Sequence, residues 1–204
     1  MVARSSPSKK RRRSTPLRIA IVLGQAAPPG RLARAASALA GEIGKRGVVV
    51  SSIDLSTTPL EACDGRQADA YGRATRDAVE AIRAASAVVL CSPVYRASFP
   101  GVLKNALDLL PVEALRDKPV AIVAMGASDH HYLGVDGHLR AVLAWFGAIA
   151  LPTSVYLKGA DFAPNGSPSS QTVETLATLA GALVDLAERV HGASFGPPPL
   201  AAKV

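Results

Sequence analysis

The chain is short of cysteine, has no long apolar run and carries no acid in its first sixteen residues, and each shortage excludes something. Two cysteines, Cys63 and Cys91, cannot make a disulfide framework. Cys91 closes an apolar strand, where a free thiol behaves as a small hydrophobe. No apolar run reaches the roughly 18 residues that cross a bilayer, so no membrane partner is expected. The first residues also lack the apolar core of a signal peptide, which points to a cytoplasmic location. His130 and His131 are adjacent, but no third ligand stands at a matching spacing, so no metal is assigned. No Ser-His-Asp set or carboxylate pair is apparent, and no catalytic acid or base is named. No internal repeat is present.

The formal net charge of +7 misleads. Arg4, Lys9, Lys10, Arg11, Arg12 and Arg13 all lie within residues 1–16, leaving +1 for residues 17–204. A near-neutral body offers no basic face for nucleic acid. Residues 1–16 are expected to form a disordered basic tail. Residues 17–192 suffice for one domain with a substantial core. Residues 193–204, with Pro197-Pro198-Pro199, are expected to form a flexible tail that cannot be helical.

Between the tails, apolar runs alternate with amphipathic stretches. Leu17–Leu23 reads as a central parallel strand. Arg31–Arg46 places Leu32, Ala35, Ala36, Leu39 and Ile43 on one helical face, and Gly47 stops it. Val48–Ile53 is a second strand, followed by a loop over Ser56–Ala68. Asp69–Ala84 reads as a helix, Ala87–Cys91 as a strand and Gly101–Leu110 as a helix. Pro119–Ala124 is the fourth strand and Gly137–Phe146 the fourth helix. Ala148–Leu151 and Ser154–Leu157 together make a fifth strand broken at Pro152. Asp161–Pro168 is a loop, and Ser170–Val190 is a helix capped by Ser169 or Ser170. Alternation of this kind predicts a doubly wound parallel α/β sheet of five strands, order 2-1-3-4-5, in three layers. Loops after strands one, three and four then meet at the topological switch point, where ligands bind in such folds.

The most informative stretch runs from Val88 to Asp108. It carries Ser92-Pro93-Val94-Tyr95-Arg96-Ala97-Ser98-Phe99-Pro100-Gly101 between a strand and a helix, and Leu103-Lys104-Asn105 follow. Pro93 stiffens the loop, Tyr95 and Phe99 offer flat faces, and Arg96 adds a permanent charge. That suits a planar, anionic ligand. Ser92, Pro93, Tyr95, Pro100, Gly101, Leu103, Lys104 and Asn105 closely resemble the second flavin-contacting loop of the NADPH-dependent FMN reductase family, whose fold is flavodoxin-like. The run Leu107-Asp108-Leu109-Leu110-Pro111 is similar to that of reductases supplying reduced FMN to two-component monooxygenases such as the alkanesulfonate systems. The likeness extends from about Leu17 to Leu186.

The resemblance implies FMN and NADPH or NADH as cofactors, and a partner monooxygenase. It places Pro93, Val94, Tyr95, Arg96 and Ala97 along the flavin ring, with Ser92 beside them. The first loop, Gly24 to Arg31, should hold the flavin phosphate at a helix N-terminus. There this chain departs from the family: Gln25 stands for a serine and Ala27 for an arginine. Gly24, Gln25 and Arg31 are the residues left for the phosphate, and Arg34, one turn on, either reaches inward or is solvated. Such a loop implies weak flavin binding, with flavin as a substrate. In the third loop, Gly126, Ala127 and Ser128 are expected near the flavin carbonyls. Lys104 stands open between a subunit contact, the nicotinamide nucleotide and a plain exposed position. His138 and His191 read as surface residues. Gly137 falls where related reductases carry a tyrosine, and His138 is the only nearby ring that could stand in for it. Rivals are a reductase of quinones, azo compounds or metal ions with tightly bound FMN, and a non-catalytic flavodoxin-like binding module. The apolar content of helix three (Val102, Leu103, Ala106, Leu107, Leu109, Leu110), with Trp145 and Phe146 of helix four, predicts a homodimer or homotetramer.

Overall fold

The computed structural model describes residues 16–199. Apart from Pro16, the tail expected over residues 1–16 lies outside them, as do residues 200–204. Strands β1 (Arg18–Leu23), β2 (Val49–Asp54), β3 (Ala87–Pro93), β4 (Pro119–Met125), β5 (Ile149–Ala150) and β6 (Val155–Leu157) alternate with helices α1 (Arg31–Gly44), α2 (Arg73–Arg83), α3 (Gly101–Asp108), α4 (Gly134–Phe146) and α5 (Ser170–Val190). All pairings are parallel, in the order β2-β1-β3-β4-β5. β5 and β6 are the two halves of the expected fifth strand, and both pair with β4. The flavodoxin-like order expected from the sequence is the one observed.

The alternation in β1 divides the core. Ile19, Ile21 and Leu23 face α1 and α5, where Leu39, Leu176 and Leu183 are fully buried. Ala20 and Val22 face the opposite layer, with Leu90, Leu103, Ile122 and Leu139. Each large side chain so buried contributes about 1.5–3 kcal/mol. The break between β5 and β6 is fixed from outside. Arg140 of α4 donates to the carbonyls of Leu151 (2.8 Å) and Pro152 (3.1 Å), and its Nε donates to Asp136 at 2.7 Å. The other oxygen of Asp136 is buried without a partner among the described residues.

Two helix starts differ from the sequence reading, and the cap of α5 is one of the two serines it offered. α2 begins at Arg73, four residues after the expected Asp69, because Tyr71 is extended and the Glu61 carboxylate receives the Gly72 N–H at 2.5 Å. α4 begins at Gly134, three residues before the expected Gly137, and ends on left-handed Gly147, φ 68°. Ser169 is the α5 cap, its hydroxyl accepting from Thr172 N–H at 3.2 Å. A further difference concerns packing. α3 buries Leu103, Ala106 and Leu107 in the chain's own core, and Leu110 just after it is buried there too. The β2–α2 loop covers its outer side: Asn105 donates to the Glu61 carbonyl (2.9 Å) and accepts from the Cys63 N–H (2.8 Å). The apolar surplus assigned to α3 is thus absorbed within the chain, and Phe146 is buried too. The start of the segment expected to be a flexible tail is tied down, since Asp117 accepts from the Ser194 hydroxyl (3.1 Å) and the Phe195 N–H (3.0 Å).

Candidate functional site

The loops after β1, β3 and β4 are joined to one another at the carboxyl edge of the sheet. Gly24 donates to the Cys91 carbonyl at 2.7 Å, and Val94 donates to the Met125 carbonyl at 2.8 Å. Gly24 has no room for a side chain, because a Cβ would stand 2.6 Å from Leu103. At Gly126 a Cβ would overlap the Tyr156 hydroxyl and come within 3.3 Å of Val94.

The second loop folds into a two-residue turn. Tyr95 and Ser98 exchange both backbone hydrogen bonds, at 2.8 and 3.0 Å. The residues between them, Arg96 (φ 49°) and Ala97 (φ 61°), are both left-handed and neither is glycine. Each such residue costs about 1–2 kcal/mol, and strain of this kind collects at ligand sites. The Arg96 and Ala97 amides make no hydrogen bond within the described residues, so both donors remain for a ligand. Tyr95 is 47% exposed, which leaves its ring available for stacking.

The first loop offers less than the sequence allowed. Gln25 is buried, and its side-chain amide donates to Asp54 at the end of β2 (3.4 Å). Gly24 is buried under α3. Arg31 is exposed at the start of α1, without an ion pair among the described residues, and its guanidinium lies beside Gly159. Arg34 is committed, since it donates to the Asn165 carbonyl and abuts Gly166. The β6–α5 loop therefore closes over the first turn of α1. Ser92 is fully buried and its hydroxyl donates to the Pro93 carbonyl at 2.9 Å, so it shapes the loop from beneath.

The third loop is held from β6. The Tyr156 hydroxyl donates to the Ser128 carbonyl at 2.6 Å, and Lys158 pairs with Asp129 at 2.8 Å. That pair raises the Lys158 pKa, and burial raises that of Tyr156. Gly126 and Ser128 are half-buried and Ala127 is exposed. Tyr132 stands edge-on to Tyr156, 5.7 Å between centroids. The Cys91 thiol lies behind the crevice, its pKa pushed up to about 12 by burial, so it remains a protonated hydrophobe.

The sequence profile of the NADPH-dependent FMN reductases matches residues 17–162. The chain belongs to that family. A Pseudomonas aeruginosa FMN reductase (NADPH) is 36% identical over 154 residues, 73% of this chain and 81% of that protein. A Geobacillus thermodenitrificans NAD(P)H-dependent FAD/FMN reductase is 36% identical over 109 residues, covering 53% of this chain and 59% of its own length. Among solved structures, the apo form of the NADH:FMN oxidoreductase EmoB superposes with a TM-score of 0.71 at 23% identity, over 86% of this chain and 91% of that one. The reductase is accordingly an oxidoreductase that uses FMN and a nicotinamide nucleotide.

The residues present fit FMN. The turn presents two free amides and an exposed ring, and Arg31 and Arg96 are exposed cations without an ion pair among the described residues. Sequence reasoning missed Gly134, Tyr156, Lys158, Gly159 and Asn165. None stands in a loop motif, and only packing in three dimensions brings them to the crevice. His138 is exposed, as expected, and its Nδ1 lies 2.8 Å from the Ser98 hydroxyl. A cavity of about 650 Å³ lies elsewhere: it runs between the β5–β6 edge and α5, floored by Leu151, Val155, Leu179 and Leu186.

Proposed function

We propose that this reductase binds FMN as a weakly held substrate, receives hydride from NADPH or NADH, and passes reduced flavin to a partner monooxygenase. The observation carrying this reading is the strained turn at Tyr95–Ser98, which spends conformational energy to present an aromatic face and two amides at the switch point. Pro93, Val94, Tyr95, Arg96 and Ala97 would lie along the ring, and Gly126, Ala127 and Ser128 would border it. The amides of the exposed residues Ala26, Ala27 and Gly30, together with Arg31, would receive the phosphate. With Gln25 bonded to Asp54 and Ala27 lacking a polar group, that grip is weak, which suits flavin that must leave. Bound FMN would supply the electron sink for the nicotinamide hydride. The chain's part is to orient the two rings, and it needs no acid or base of its own.

We further infer a homodimer of a cytoplasmic enzyme whose reductase unit spans residues 17–192. Leu133 (62% exposed) and Trp145 (55% exposed), at opposite ends of α4, support that interface, while α3 does not. A visible spectrum of the purified protein and an NADPH oxidation assay with and without FMN test the main reading. A colourless protein whose NADPH consumption rises with added FMN is expected. Consumption no faster than the free-flavin background would sink it.

A further inference from the structure

We propose that His138 is a positioning residue for flavin, acting through Ser98 on the turn that carries Tyr95. The proposal rests on the reading of that turn as the flavin contact. Arg96 and Ala97 both occupy the left-handed region, so the turn does not hold its shape for free. Three contacts hold it. One is internal, the reciprocal backbone pair of Tyr95 and Ser98. The other two come from α4. Gly134 packs so close to the turn that a Cβ there would stand 2.5 Å from the Ala97 carbonyl oxygen. His138, one helical turn later on the same face, places Nδ1 2.8 Å from the Ser98 hydroxyl.

Ser98 is therefore a node: its backbone holds Tyr95 and its side chain is held by α4. α4 is in turn anchored to the sheet edge by Arg140 on the carbonyls of Leu151 and Pro152. A continuous line of contacts runs from the sheet edge through α4 to the ring of Tyr95. Either tautomer of His138 serves, since the serine hydroxyl both donates and accepts. A histidine exposed to solvent has no packing reason to take this geometry, and Gly137 beside it leaves the approach clear.

The test uses the whole chain and FMN itself. Flavin affinity is read by quenching of FMN fluorescence, alongside kcat, KM and the thermal midpoint of the flavin-free protein. His138→Ala is expected to weaken FMN binding roughly five-fold, the worth of one neutral hydrogen bond, with kcat at saturating flavin and the midpoint near those of the parent. His138→Asn, whose amide can reach Ser98, should restore most of the affinity. Ser98→Ala should match His138→Ala, and the double variant should be no worse than either. An unchanged dissociation constant in His138→Ala, with Tyr95→Ala clearly weakened, overturns the proposal and leaves the crevice reading standing. A lowered midpoint that His138→Asn fails to restore reduces the residue to helix stability and also overturns it. If Tyr95→Ala binds FMN as the parent does, the crevice reading falls and the role of His138 falls with it.

Discussion

Two side chains make the sharpest individual predictions. Tyr95 offers nearly half its surface to the crevice, and an aromatic contact is worth about 0.5–1.5 kcal/mol beyond its area. Tyr95→Ala should therefore raise the FMN dissociation constant by about five- to thirty-fold, counting lost area as well. Retention of parental affinity in a fluorescence titration would place the ring elsewhere. Lys118, at the opposite pole, donates to the Arg83 carbonyl at 2.5 Å and so caps α2. Burial is the main reason its pKa falls to about 8. The sign follows from proton counting. Below pH 8 the amine is charged in both states, and the cost of burying that charge is present in full. Between about 8 and the ordinary 10.5 the folded protein has released the proton while the unfolded chain keeps it, so stability rises with pH. The thermal midpoint of the parent, relative to Lys118→Met, should climb between pH 7.5 and 10. A flat difference would contradict the burial argument.

Among the elements, those legible in the sequence are the ones whose own residues decide them. The all-buried alternation of β1 and β3, the apolar face of α1 and the serine cap of α5 needed no partner to be recognised. α2 is different: periodicity ran on to Asp69, but Glu61, eleven residues before Gly72, takes the Gly72 amide and sets the true start. α4 was likewise read late: it starts at Gly134, where a Cβ would not fit against Ala97, a closeness that no local pattern reports. The Tyr95 loop was legible as a strand-to-helix connection that leaves an aromatic ring exposed, from its two prolines and the residues between them. Gln25 was not, since its turn toward Asp54 depends on how β1 and β2 lie side by side. The β2–α2 loop supplies an element-scale test. Its two bonds to Asn105 are the clamp on α3. Asn105→Ala should quicken tryptic cleavage at Arg66 and thiol labelling of Cys63, with a stability loss of about 1–2 kcal/mol. Unaltered cleavage and labelling would mean that the Arg66–Asp64–Glu61 ion pairs hold the loop unaided.

For the whole molecule, the useful asymmetry is in what the surface leaves uncovered. Large apolar side chains cluster at the crevice rim and along α4 (Tyr95, Tyr132, Leu133 and Trp145), while α3 is closed over. A double charge substitution, Leu133→Asp with Trp145→Asp, should convert the expected dimer to a monomer in light scattering without unfolding it. A parent that is already monomeric at micromolar concentration defeats that expectation. The broken fifth strand has a different consequence, for colloidal behaviour. A parallel sheet of this size ends in an edge whose unpaired amides can recruit a foreign strand. Here the edge is cut into pieces of two and three residues, and the carbonyls at the break are occupied by one guanidinium from α4. No stretch of this edge is long enough to template a stranger. Arg140, far from any reacting atom, thus acts as a guard against fibrillation, and a variant that lacks it should cloud sooner on heating.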